Sequence, residues 1–470
     1  MITPLLLVFS ALCGLLLLQG IIGHRGAIYE YPFLSGATFA GFVLPQLIGL
    51  GHDRFLPPGA LESTLIMAIL CAAMCWLGAA MADRPVSASA RGFDEKRLLI
   101  ASGLLSLCGA YFYHKISQLP DEMFINLQGG WTGLPVAYLF FARMLTYGFA
   151  LAVLLVARNG SRIALLFALF GASFYFESIV IGGRRQDLVE FATIMLMAFW
   201  FQRNWCLPRP VMLSALVIGA LFINSVAQYR AATLDDAGPR WDEVFNIDFI
   251  GNLEQLSEQG GDELTNAVCN IGAVSRTMNF DLGAYHWNAI VFSYVPAQLV
   301  GHDLKESLML PLANSASDEH LCLTPPGSTP TGFSDSFQSF WYFGCLKFFI
   351  VAFIMQRLWL ASRGGSLMAQ LLYMLLPVQA MQVITHDTNH FVAPWIHIAI
   401  FLLPLMLWAR RPRSVPPRLA VSDSSERAPR GAIAARLRGD LGGAPNSSSL
   451  CDHRGSTHFS FRFRRQACRS

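Results

Sequence analysis

Apolar stretches of about twenty residues, each long enough to cross a hydrocarbon core of about 30 Å as helix, recur from the first residues to near Trp408. Backbone polar groups have no water to bond in lipid, so each stretch must satisfy its own hydrogen bonds as helix. Composition agrees: 54% of residues are hydrophobic and only 14% charged, against about 25% charged in a soluble domain. The expected fold class is all-α, a polytopic integral membrane protein with about eleven transmembrane helices and one large extracytoplasmic loop.

The spans are read at 3–23, 32–51, 61–82, 98–114, 134–157, 163–182, 188–202, 211–226, 338–360, 366–385 and 392–409. The first, TPLLLVFSALCGLLLLQGII, lacks the basic start and A-x-A-like site of a signal peptide and is read as a retained helix. Ten cysteines are scattered without paired spacing, and Cys13, Cys71, Cys75 and Cys108 sit inside apolar spans as small hydrophobes. Cys269 and Cys322 share the large loop and could form a disulfide.

Basic residues near helix ends stay on the cytoplasmic side. One set of alternate connections holds Arg25, then Arg84, Arg91, Lys96 and Arg97, then Arg158 and Arg162, then Arg203 and Arg209, then Arg363 and the ARRPR run. The other holds Arg54, Lys115, Arg184 and Arg185. With the first set inside, the amino terminus is outside, and so is the loop from about Gln228 to Gln338. The short, Pro296-interrupted segment WNAIVFSYVPAQLVG at 287–301 reads as interfacial or re-entrant. Four regions follow: helices one to eight over 1–227, a large periplasmic loop over 228–337, helices nine to eleven over 338–410, and an Arg-rich cytoplasmic tail over 411–470. The tail composition predicts disorder and contact with anionic headgroups.

Ionisable groups inside lipid cost about 2.5–3.5 kcal/mol at a helix centre, so each calls for a partner or a task. Arg143, Glu177 and Glu190 stand out, and paired charges bracing the bundle are the plain explanation. GGRRQD at 182–187 puts Arg184 and Arg185 outside, against the positive-inside trend. Continuing helix would align Glu177 with Arg184 on one face. Arg230 follows the eighth span at its outer end, and Arg276 and Lys305 lie further along the loop. Together these five cations are candidates for binding a phosphate-containing ligand, although a lone arginine can equally snorkel to headgroups.

HDTNH at 386–390 joins the last two spans outside and offers His386, Asp387 and His390 in one turn. Histidine exchanges a proton near neutral pH, which suits a general base. Asp335, in TPPGSTPTGFSDSFQSFWYFG, is a further candidate, or simply an acid favoured by a helix N-terminus. The two histidines are four apart, but the turn is not expected to be helical, and no metal or cofactor is invoked. P-loop, dinucleotide, G-x-S-x-G, H-E-x-x-H and haem-attachment signatures are absent.

GGRRQD, AQYR at 227–230, FSYVPAQLVGHDLKES at 292–307 and TGFSDSFQSFWYFG at 331–344, in that order over about residues 1–410, resemble the patterns of bacterial O-antigen and exopolysaccharide repeat-unit polymerases. The resemblance implies glycosyl transfer at the outer face of the bacterial inner membrane. A polyprenyl-diphosphate-linked oligosaccharide would be the donor, and a flippase and a chain-length regulator would be partners; no nucleic acid is involved. Arg184, Arg185 and Arg230 would hold the diphosphate, and His386, Asp387, His390 and Asp335 would supply or orient the base. Trp241, Tyr285, His286, Trp287 and Trp341 offer faces for sugars or interfacial anchors. An O-antigen ligase and a transporter or flippase of lipid-linked glycans are the competing expectations.

Overall fold

The structure, a computed structural model, describes residues 2–51, 56–84, 92–120, 134–234, 238–295, 300–312, 322 and 328–411. The first six long helices in chain order are α1 (Ile2–Ile22), α2 (Tyr31–Leu50), α3 (Ala60–Ala82), α4 (Glu95–Ser117), α5 (Leu134–Asn159) and α6 (Arg162–Val180). They are followed by α7 (Arg185–Arg203), α8 (Arg209–Asn224) and α9 (Val226–Thr233). Shorter helices then fill much of the expected loop: α10 (Trp241–Phe245), α11 (Phe249–Gln259), α12 (Asp262–Thr277), α13 (Ala284–Tyr294) and α14 (His302–Ser307). The last segments are α15 (Gly332–Phe340), α16 (Leu346–Arg363), α17 (Leu367–Thr385) and α18 (Asn389–Trp408).

Among the described residues, eight helical segments are long and apolar enough to cross a membrane, and the α8–α9 pair, bent by 66°, brings the count to nine if taken as one span. Over the described residues the chain is therefore an all-helical, multi-pass membrane protein. Helices α4 and α7 form where spans were expected but fall outside the apolar set. Both begin with charges: Glu95, Lys96 and Arg97 in α4, and Arg185, Asp187 and Glu190 in α7.

Helix ends follow local chemistry. Asp94 caps α4 by accepting from the N–H groups of Lys96 and Arg97 at 2.9 and 3.3 Å, and Ser161 and Ser366 cap α6 and α17 in the same way. Two π-helical turns, Phe39–Val43 in α2 and Ile398–Leu402 in α18, stand immediately before Pro45 and Pro404. A proline ring collides with the carbonyl four residues back and removes an N–H, and the widened turn absorbs both faults without ending the helix.

Helix α17 is the axis of the bundle, with 83% of its apolar window buried, whereas α1 and α6 are only 22% and 28% buried and line the periphery. Leu7, Leu15, Leu166 and Ile218 face outward on such outer helices, as lipid-facing side chains should. Helices α3 and α16 approach closely: a side chain at Gly78 would lie 2.3 Å from the Phe349 carbonyl. Small residues let backbones meet in this way where lipid supplies no hydrophobic drive. Buried polar groups are paired across helices: Tyr31 donates to the Ala380 carbonyl at 3.0 Å, Tyr373 to Tyr29 at 2.8 Å, and Trp359 to the Glu30 carboxylate at 2.9 Å.

The region after α9 does not sit apart from this core. Leu264, Ala267, Val268 and Ile271 of α12 are buried against α3 and α15, and α11 packs on α2 and α8. Cys269 and Cys322 are joined in a disulfide, as their shared region suggested. The segment expected to be interfacial begins as helix α13, which packs on α18; its 296–299 portion lies outside the described residues, as do Asp53, Arg54, Arg91 and the tail from 412 onward.

Candidate functional site

The connections α6–α7, α8–α9 and α17–α18 open at one end of the bundle and carry Arg184, Arg185, Arg230, His386, Asp387 and His390. Gly182 and Gly183 interrupt the helix between Val180 and Arg185, with Gly183 at φ +55°. The expected alignment of Glu177 with Arg184 on continuous helix therefore does not form, and the Glu177 side chain is exposed. Arg184 instead stands at the N-cap of α7, and its amide donates to the Ser178 carbonyl at 3.2 Å.

Arg185 pairs with Glu263 of α12 at 3.4 Å and lies over the Phe42 ring at 5.7 Å. Arg230 of α9 donates from Nε to the Gly183 carbonyl at 3.3 Å, which ties α9 to the glycine turn. Arg184, Arg185 and Arg230 are near enough to act on one another. Burial first, then the charges of Arg185 and Arg184, push the Arg230 guanidinium below its usual range. Arg276 and Lys305 do not join this group: Arg276 is exposed at the end of α12, and Lys305 spends its ammonium on the Phe292 carbonyl at 2.9 Å.

The HDTNH turn stands beside the arginines. Burial, then His390, then Arg185 depress the His386 imidazole to about 4, with Asp387 pulling the other way. His386 is therefore neutral at ordinary pH, with Nδ1 2.8 Å from the Thr385 hydroxyl and its ring 5.1 Å from that of His390. Burial would raise the Asp387 carboxyl, but the hydrogen bond and charge of His390 and the Asn389 amide at 2.9 Å outweigh it and hold the acid ionised. Tyr285 of α13 reaches the other Asp387 oxygen at 3.5 Å.

Asp335 lies under the turn and is only 3% exposed. One carboxylate oxygen accepts the Thr388 amide at 2.5 Å; the other lies 3.3 Å from the Thr388 hydroxyl, 3.0 Å from Ser336 Oγ and 3.5 Å from Lys347 Nζ. Lys347, near the start of α16, also touches His286 Nε2. Gly332 permits the approach of α15 to the turn, because a Cβ there would lie 1.7 Å from the Val383 carbonyl. Lys347 and Thr388 were not singled out from sequence, and His286 was noted only as a ring for sugars. Nothing local marks them, since 61 residues separate His286 from Lys347.

A second polar region lies deeper. Arg143 occupies the turn that divides α5, and with Thr146, Tyr147, Glu190 and Gln379 it lines a narrow cleft with room for about one water. Glu190 is 8% exposed and, among the described residues, Arg143 and Glu190 form no direct ion pair within 4.0 Å. No group of three metal-binding side chains occurs among the described residues. The chain matches no family model, no curated protein and no solved structure.

Proposed function

We propose that this chain is a bacterial inner-membrane glycosyltransferase that polymerises polyprenyl-diphosphate-linked oligosaccharide repeat units into O-antigen or exopolysaccharide at the periplasmic face. In this reading α4, α7 and α8 also cross the membrane, giving eleven spans, and the region from α9 to α14 is periplasmic. The observation that carries it is the meeting of Arg184, Arg185 and Arg230 with the His386–His390 turn at one end of the bundle, close enough for Arg185 to act on His386.

The donor's leaving group is an anionic diphosphate, so the site needs cations where negative charge builds as the glycosidic bond breaks. Among the described residues, Glu263 offsets only one of the three arginines, so the cluster keeps a net positive charge that favours loading of an anion. The same event tunes the base. Burial and His390 hold His386 down most; an anion beside Arg185 offsets the third contribution, so the imidazole becomes somewhat more basic when the donor is in place. His386 then takes the proton of the acceptor hydroxyl as its oxygen bonds to the anomeric carbon, and the diphosphate leaves with the electron pair. Asp387 and His390 orient the turn. Asp335, buried and engaged on both oxygens, positions Thr388 rather than touching substrate.

The test is the glycan ladder of cells lacking the protein, complemented with wild type, Arg184→Ala, Arg230→Ala or His386→Ala at matched expression. Loss of long polymer, with single repeat units still made and attached, is the expected result. Repeat units that stop being attached at all would indicate a ligase, and an unchanged ladder would overturn the reading.

A further inference from the structure

We propose that Lys347 and His286 are positioning residues that clamp the His386–His390 turn against α15 and α16, and that protonation of His286 opens the clamp. The inference rests on the functional reading above for its meaning in catalysis, but its geometry stands independently.

Three helices and the turn converge here. Thr388, at the centre of the turn, gives its amide and hydroxyl to Asp335 of α15 and also sets its hydroxyl 3.2 Å from His286 Nε2 of α13. Lys347 of α16 touches the same Nε2, lies 3.2 Å from Ser339 Oγ and lies 3.5 Å from Asp335. An ammonium can only donate, so its contact with Nε2 is a hydrogen bond only while that nitrogen carries no proton. The ring's hydrogen must then sit on Nδ1. The clamp therefore requires the neutral imidazole in one tautomer.

The charged and titratable groups facing His286 are Asp335 from α15, Lys347 from α16, Asp387 from the turn, and Asp281 and Tyr285 from its own side. Burial first, and Lys347 after it, hold the imidazole below its ordinary value although Asp335 and Asp281 oppose them. The ring is thus neutral at neutral pH. Added acid puts a proton on Nε2, where it meets Lys347 as one cation against another. Lys347 must withdraw, the protonated Nε2, 3.9 Å from Asp335, takes its place beside the carboxylate, and the turn that carries His386 is freed from α16.

The experiment measures amide exchange of the 385–391 segment by mass spectrometry in detergent, corrected for intrinsic exchange. It compares wild type, His286→Gln and Lys347→Met at about pH 7.5 and about pH 5. Glutamine keeps an acceptor for Lys347 and cannot take a proton. Wild type should loosen roughly tenfold on acidification, His286→Gln should stay protected at both values, and Lys347→Met should be loose at both. Should Lys347→Met fail to fold, Lys347→Arg, which keeps the donor, should restore protection at the higher pH. An acid response that persists in His286→Gln, or protection unchanged in Lys347→Met, overturns the proposal. Polymer yield from the same proteins separates the two readings: a clamp that responds in a chain making no polymer defeats the function alone, and polymer made without a clamp response defeats the clamp alone.

Discussion

Asp335 and Glu190 are both acids buried in apolar helical surroundings, yet the bundle treats them in opposite ways. Asp335 has a partner on each oxygen, from Thr388, Ser336 and Lys347, within 2.5–3.5 Å. Glu190 shares a cleft with Arg143 but does not touch it within ion-pair distance, and Gln379, Thr146 and Tyr147 line the same space. A carboxylate with direct partners is a structural joint, because removing it leaves a cation and donors stranded away from water. Among the described residues Glu190 has no cation in direct contact and engages the Tyr175 hydroxyl instead, so changing it strands fewer charged groups.

The sharpest test of that contrast is Asp335→Ala, expected to lower stability by about 3–5 kcal/mol, because Lys347 and the Thr388 amide lose their acceptor. Thermal unfolding in detergent would show it, and a shift no larger than that of Glu190→Gln would erase the distinction. Gly332→Ala comes next, at about 1–3 kcal/mol, since its methyl must displace the Val383 carbonyl and with it the start of the turn. Double-mutant cycles separate the two acids further. The Asp335/Lys347 pair should couple by about 1–2 kcal/mol, and the Arg143/Glu190 pair, which is not in direct contact, by less. Coupling of equal size would mean that the deep pair closes into direct contact. Glu190→Gln alone should cost on the order of 1 kcal/mol.

A separate test is one of pH. The folded pKa of His386 lies below its unfolded value of about 6.5, so the unfolded chain binds the extra proton first. The associated stability is present above about 6.5 and is lost as pH falls through about 4. His386→Gln should flatten this acid-side slope in melting temperature, and a slope unchanged by the substitution would show that the imidazole is better solvated than its surroundings suggest.

What could be read from sequence divides along the same line as the chemistry. Long apolar windows mark helices because lipid leaves the backbone no alternative, and α1, α3 and α17 fall within two residues of where they were expected. Helices α4 and α7 form as expected too, but their charges keep them out of the apolar set. Arg184, Arg185 and Arg230 were visible as cations against the positive-inside trend, and the HDTNH turn as a cluster of proton-exchanging side chains. The clamp was not, because its members come from four elements and only the fold brings His286, Asp335, Lys347 and Thr388 together. Two readings failed for local reasons: the glycine pair broke the helix that would have aligned Glu177 with Arg184, and Lys305 turned to a helix end instead of joining the arginines.

The Cys269–Cys322 bond carries a consequence for topology. Such bonds persist in oxidising compartments and are reduced in the cytosol, so this one acts as a built-in reporter of which way the whole bundle is threaded. Electrophoretic mobility of the protein taken from cells, with free thiols blocked before lysis and compared with and without reductant, reads that orientation directly. It does so without a fusion tag and without any assumption about what the protein makes.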